Sequence, residues 1–249
     1  MLHQQPVRKI QPEISAQNPL GPKKSRGFIH RHIKKNTPVI RHKKNTDQPP
    51  EPKVLGIGGS PRKGGNSDVL LNHILKGVDE NPLTVDKVHL RDYQYQGCIG
   101  CERCRKDKIC TGLNDGMSLL YPEILEAKGL ILISPTHNYN VTAWIKAFID
   151  RLYCFYIFDN NRPRGWLSQL AGQGRKAVLA AVCEQENKED MGFTLDAMRL
   201  PLEALGYEII GELPVLRTFS KGKVQEQTET LEKAAKLGSD LAKSIIINH

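Results

Sequence analysis

Apolar and polar positions along this chain follow two regimes that meet near residue 53. Beyond that point short apolar runs alternate with stretches of helical period. VLGIGG (54–59) is an apolar run ending in glycines, and after it Leu71, Ile74, Leu75 and Val78 recur at i, i+3, i+4 and i+7. The pair predicts a strand followed by a helix. VDKVHL (85–90) predicts a second strand. Pro122 suits the first turn of a short helix carrying Ile124 and Leu125, which runs into GLILIS (129–134), a continuous apolar run of the kind found in central parallel strands. Val141, Trp144, Ile145, Phe148, Ile149 and Leu152 form a helical stripe. KAVLAAV (176–182) predicts a fourth strand, 193–205 a helix bent by Pro201, YEIIGELPV (207–215) a fifth strand, and 224–246 a long final helix with Leu231, Leu237 and Leu241 inward. Five strands alternating with helices predict an α/β fold with an open, doubly wound parallel sheet. Such sheets take ligands at the carboxyl ends of their strands, so the loops after strands one, three and four are the places to look.

The first 52 residues have neither period. They hold eleven Lys or Arg against three acids, which is +8 of the chain's +9 and leaves the remainder near neutral. With few large apolar residues and prolines at 6, 12, 19, 22, 38, 49, 50 and 52, this segment is expected to be a disordered basic tail over 1–52, preceding one domain over 53–249. It is either a solvated extension or a docking arm for an acidic partner or nucleic acid. Its prolines argue against an amphipathic presequence, and it has no apolar run of secretory type. No stretch approaches the roughly 20 apolar residues of a membrane span, so the expectation is a cytoplasmic protein with no membrane partner. Phe28 is the tail's one aromatic residue, which argues against a nucleic-acid partner of the stacking kind.

The loop GIGGSPRKGGNS (56–67) joins the first strand to the first helix and is an anion cradle by composition. Pro61 takes the place of the third glycine of a dinucleotide fingerprint, and no Gly-Lys-Ser/Thr follows as in a Walker loop. One monophosphate is the ligand that remains, with Ser60, Asn66 and Ser67 as donors and Arg62 as charge partner. A second cluster of chemistry lies at 97–112, where Cys98, Cys101, Cys104 and Cys110 give C-x2-C-x2-C-x5-C. Three sulfurs at consecutive x2 spacing within one loop match the way iron-sulfur clusters are held, whereas structural zinc more often uses two separated C-x2-C knuckles. Zinc and unliganded, redox-active thiols stay open on spacing alone. Cys154, in an apolar segment, reads as a buried small hydrophobe. Arg103, Arg105, Lys106 and Lys108 surround the sulfurs, either as a solvated face or as a landing site for an acidic donor protein.

GSPRKGGNS, SPTHNYN (134–140), IKAFIDR (145–151) and the compact cysteine run together resemble the iron-sulfur flavoproteins, a branch of the flavodoxin-like, NADPH-dependent FMN reductase superfamily. The resemblance implies sheet order 2-1-3-4-5, FMN as cofactor, and a [4Fe-4S] cluster on Cys98, Cys101, Cys104 and Cys110. It implies that Ser60, Arg62, Asn66 and Ser67 wrap the FMN phosphate, and that Pro135, Thr136, His137, Asn138, Tyr139 and Asn140 line the isoalloxazine. His137 departs from the family, as does Cys183-Glu184-Gln185-Glu186 in the loop where many relatives have Thr and Gly. For His137, proton transfer near the reactive ring nitrogen and a plain solvent-facing position both stay open. Electrons from ferredoxin or NAD(P)H would then pass to a small acceptor, in a homodimer or homotetramer. A reductase without a cluster and a redox-sensing flavin-binding regulator are the alternatives. No catalytic residue is singled out.

Overall fold

The computed structural model describes residues 52–160 and 165–247, so the expectation for the basic tail lies outside the described residues. Strands β1 (Lys53–Gly58), β2 (Thr84–His89), β3 (Ala127–Pro135), β6 (Lys176–Val182) and β7 (Glu208–Val215) form one parallel sheet. Its order is β2-β1-β3-β6-β7, which is 2-1-3-4-5 counted along the sheet's own strands. The central strands are buried along their length because both sheet faces are covered, which is why they read as apolar runs rather than alternations.

Alternate residues of each strand serve opposite cores. Leu55, Ile57, Leu130, Leu132, Leu179 and Ala181 face helices α3 (Met117–Glu126), α4 (Ala143–Arg151) and α5 (Asp196–Ala204), meeting Leu120, Phe148 and Met198. Val54, Ile131, Ile133, Val178 and Ala180 face α1 (Asn66–Asp79) and α6 (Thr228–Ile246), meeting Leu71, Ile74 and Leu241. This period of two is what a pleated strand between two layers requires. Helices α1 and α6 approach so closely that a Cβ on Gly77 would lie 1.9 Å from the Ala235 carbonyl oxygen, and one on Gly238 would lie 1.9 Å from that of Ile74.

Two local expectations change. Pro122 sits at the sixth position of α3 rather than in its first turn. The helix starts earlier, and the carbonyl that Pro122 leaves without an N–H belongs to Ser118, which is exposed and so can turn to water. The far end of α3 is capped by buried Arg175, whose guanidinium donates to the carbonyls of Ile124, Leu125 and Ala127 at 2.7, 2.7 and 2.6 Å. The second change is an antiparallel pair that the period reading missed, β4 (Tyr156–Phe158) with β5 (Trp166–Ser168). Leu152 leaves the α4 stripe to begin a one-turn 3-10 helix, Leu152–Phe155, that leads into this pair. Among the described residues no helix is long and apolar enough to cross a membrane.

Candidate functional site

At the carboxyl end of β1 the chain turns through 59–65 into α1, and neighbouring elements fix this turn. The Gly59 N–H donates to the Ile133 carbonyl at 2.8 Å, and Thr142 Oγ1 donates to the Gly59 carbonyl at 2.8 Å. Thr142 also caps α4 by accepting the Ile145 N–H at 3.3 Å. The Arg62 N–H donates to Ser60 Oγ at 3.2 Å, which curls the loop over the start of α1. Ser60, Arg62, Asn66 and Ser67 line a cavity of about 140 Å³ with Pro135, Thr136 and His137 from the end of β3. A positive helix end and two strand ends therefore share one hollow, with room for an anion.

Seven of the ten predicted flavin contacts meet there, and one of them is already engaged. The Asn66 amide donates one N–H to the Ser220 carbonyl at 2.9 Å and accepts the Val224 N–H at 3.2 Å, so it ties down the chain after β7 while still lining the cavity. That segment supplies Thr218, Phe219 and Lys221 to the same cavity, and Glu184 also lines it. Thr218, Phe219 and Lys221 were missed because only the loops after strands one, three and four were searched. Arg62 donates to the Phe219 carbonyl at 3.1 Å and lies 4.7 Å above its ring, which holds its charge at the rim.

Asn138, Tyr139 and Asn140 do not line this cavity. They and His137 close a tight two-residue turn, with paired His137–Asn140 hydrogen bonds of 2.8 and 3.1 Å and left-handed φ at Asn138 (52°) and Tyr139 (63°). Asn suits that conformation and Tyr does not. The strained tip is fastened by the Phe193 N–H, which donates to the Tyr139 carbonyl at 2.8 Å. His137 lines the cavity and is exposed, and Tyr139 is exposed on the turn beyond it.

The cysteine loop leaves the one-turn helix Leu90–Asp92 and returns at α3, with one helical turn, α2 (Cys104–Asp107), inside it. Cys98, Cys101, Cys104 and Cys110 line a single cavity of about 260 Å³, whose wall includes Gly112, Arg151 and Tyr153. Gly112 is required by contact, since a Cβ there would lie 2.3 Å from Cys101 Sγ. Burial, and after it the charges of Cys110, Cys98 and Cys101, push the Cys104 thiol above its ordinary value. Among the described residues no three His, Cys, Asp or Glu side chains are drawn together as a single metal ion would hold them.

The neck of this loop is closed by a buried cation. Arg151 donates to the Gln96 carbonyl at 2.9 Å and to both Asp115 oxygens at 2.7 and 3.1 Å, while Asp115 also accepts the N–H groups of Gln96 and Met117. Burial opposes ionisation of Asp115, but Arg151 and these N–H bonds hold its carboxyl below the usual range. The β4–β5 pair packs against the loop's outer side, with Arg105 5.4 Å above the Phe158 ring and Tyr153 stacked on Phe158 at 5.1 Å. Cys154 is buried as expected, and burial pushes its thiol up to about 12.

The family model for NADPH-dependent FMN reductase matches residues 52–188, which is more than half the chain. The chain belongs to that family. It is accordingly an FMN-dependent oxidoreductase of flavodoxin-like fold. An iron-sulfur flavoprotein of Archaeoglobus fulgidus is 33% identical over 196 residues, covering 77% of this chain and 80% of that protein. One from Clostridioides difficile is 27% identical over 74% of this chain and 76% of its own length. The match to an iron-sulfur flavoprotein of Methanosarcina thermophila is 32% identical over 99 residues, 40% of this chain and 51% of that one. An FMN-dependent NADH-azoreductase of Bacillus anthracis shares the fold at TM-score 0.54 and 17% identity, covering 76% of this chain and 99% of that structure.

Proposed function

We propose that this reductase is an iron-sulfur flavoprotein, in which a [4Fe-4S] cluster on Cys98, Cys101, Cys104 and Cys110 exchanges electrons with FMN held between β1, β3 and the segment after β7. The observation that carries the proposal is that all four cysteines line one cavity. A four-iron cube sets its thiolate ligands apart around a volume, whereas a lone zinc ion, with Zn–S bonds of about 2.3 Å, pulls them to one point. The loop's open arrangement supports the first. FMN supplies a centre that accepts one or two electrons and so couples a one-electron donor to a small acceptor such as a quinone, an oxygen species or a nitroaromatic compound.

The chain's own residues divide the remaining work. Ser60 and Ser67 offer hydroxyls and the start of α1 offers backbone N–H groups to the phosphate, with Arg62 and Lys221 as charge partners. Pro135, Thr136 and His137 border the flavin ring, and the turn at Asn138, Tyr139 and Asn140 forms its outer rim. Arg151 holds the cysteine loop shut at its base, its charge met by Asp115. The basic residues of the loop suit an acidic donor such as ferredoxin. A homodimer or homotetramer is the expected assembly.

A second reading, an NAD(P)H-dependent FMN or quinone reductase without a cluster, is supported by the matching family model, that of NADPH-dependent FMN reductase. Anaerobically purified protein separates the two. About four iron and four sulfide per chain, lost in Cys101→Ser while FMN stays bound, is the outcome expected for a [4Fe-4S] centre. Zinc in place of iron, or full NAD(P)H-driven turnover with no metal, would overturn the cluster.

A further inference from the structure

We propose that Asp68 and Arg91 are positioning residues for the cofactor's phosphate, with Arg91 neutralising a carboxylate that the phosphate loop needs but a phosphate would repel. The inference rests on FMN occupying the loop. Asp68 stands in the first turn of α1 and is buried. Its Oδ2 accepts the Gly64 N–H at 2.7 Å, which fixes the loop's left-handed turn at Gly64. A carboxylate there gains from the positive end of the helix, but it spends the same potential that would hold a bound anion. Two negative groups on one helix start oppose each other unless one is cancelled.

Arg91 cancels it. The residue comes from the one-turn helix after β2, and its guanidinium grips Asp68 with two bonds, Nη1 to Oδ1 at 2.9 Å and Nη2 to Oδ2 at 2.7 Å. Both side chains are about nine-tenths buried, so water screens this pair little. Arg91 Nη1 also donates to the Ser60 carbonyl at 3.0 Å. One guanidinium thus holds both ends of the loop, Ser60 directly and Gly64 through Asp68. The charge of the pair is spent internally, which leaves the helix start, Arg62 and Lys221 to the ligand.

Comparing flavins that differ only in the phosphate tests this. Flavin fluorescence would give the Kd of FMN and of riboflavin for the full chain, for Arg91→Met and for Arg91→Met with Asp68→Asn. Exposing one uncompensated charge to the phosphate should raise the FMN Kd about ten- to hundredfold in Arg91→Met, with riboflavin changed by less than about twofold. The double variant should recover most of the FMN loss because the repelling charge is gone. Arg91→Lys, which keeps the charge and loses the two-pronged grip, should show a smaller loss for FMN alone. Equal losses for both flavins, or an FMN Kd unmoved by Arg91→Met, would overturn the proposal. Wild-type protein that takes up riboflavin and FMN equally would overturn it too, whereas one that takes up neither would sink the flavin site itself.

Discussion

Replacing Arg151 with Met removes the clasp at the neck of the cysteine loop while keeping much of its buried bulk. The Arg151 side chain is 1% exposed and that of Asp115 is 15% exposed, so the variant strands a carboxylate that water reaches only in part. Removing one member of a buried ion pair costs about 3–5 kcal/mol. Asp115 keeps its bonds from the Gln96 and Met117 N–H groups, which places the expected loss near the lower end, about 3 kcal/mol. For a domain of this size each kcal/mol moves Tm by roughly 2–4 °C, so thermal denaturation should show a fall of about 6–12 °C. Arg151→Met with Asp115→Leu should lose much less than the two single variants together, because no charge is left unpaired. Acid gives an independent check. Asp115 is held below its ordinary value, so its contribution is complete above about pH 4 and is lost as pH falls through the folded value. Asp115→Asn should show a shallower decline over that range. A Tm within about 2 °C of wild type in Arg151→Met, or strictly additive single variants, would refute the clasp.

Two further outcomes follow from buried groups elsewhere. Burial pushes the His89 imidazole below its ordinary value although Asp68 opposes this, with Arg91 and Lys87 adding to the fall. The unfolded chain gains that proton near pH 6.5 and the folded chain only at lower pH, so stability is full above about pH 6.5 and declines below it. Denaturant titrations at several pH values should show that decline flattened in His89→Gln. Where α1 crosses α6, Gly238→Ala should cost about 1–3 kcal/mol for overpacking, offset by roughly 1 kcal/mol of helix propensity, with FMN content unchanged. Adding Gly77→Ala should cost less than it does alone, since the helices have already parted; full additivity in Tm or denaturant midpoint would contradict a shared crossing.

The sheet was legible because its central strands are buried on both faces and carry unbroken apolar runs, so KAVLAAV and GLILIS announce themselves with no partner in view. The β4–β5 pair was not. Its strands are three residues each, half of them aromatic, too short for a period to show, although the aromatic run FYIF ahead of Asn, Pro and Gly is a recognisable hairpin signal. The glycine loop after β1 and the four cysteines stand out in the sequence as local spacings, and each set lines one cavity. Nothing local signals the bonds of Asn66 to Ser220 and Val224, which lie more than 150 residues away. Asp68 and Arg91 were not singled out for the same reason, and Arg151 entered only as the last residue of IKAFIDR.

Helix α4 shows what such long-range contacts add. Its apolar stripe predicts a core helix, and Ile145, Phe148 and Ile149 are indeed buried against the sheet. The sites, however, hang on its two polar ends. Thr142 at the start donates to the Gly59 carbonyl of the glycine loop after β1, and Ile145 fills the space where a side chain on Gly59 would stand, 2.1 Å from a Cβ. Arg151, the last residue, clasps the cysteine loop. Nine residues at about 1.5 Å each make one rigid strut of roughly 13 Å, so the distance between the two loop anchors is set by helix geometry and not by either loop. The cysteine loop can therefore turn through left-handed residues at Gly100, Glu102 and Lys108 without carrying that irregularity to the glycine loop after β1. A substitution within the loop should disturb what its sulfurs hold, whereas one at either end of α4 changes where a whole site stands.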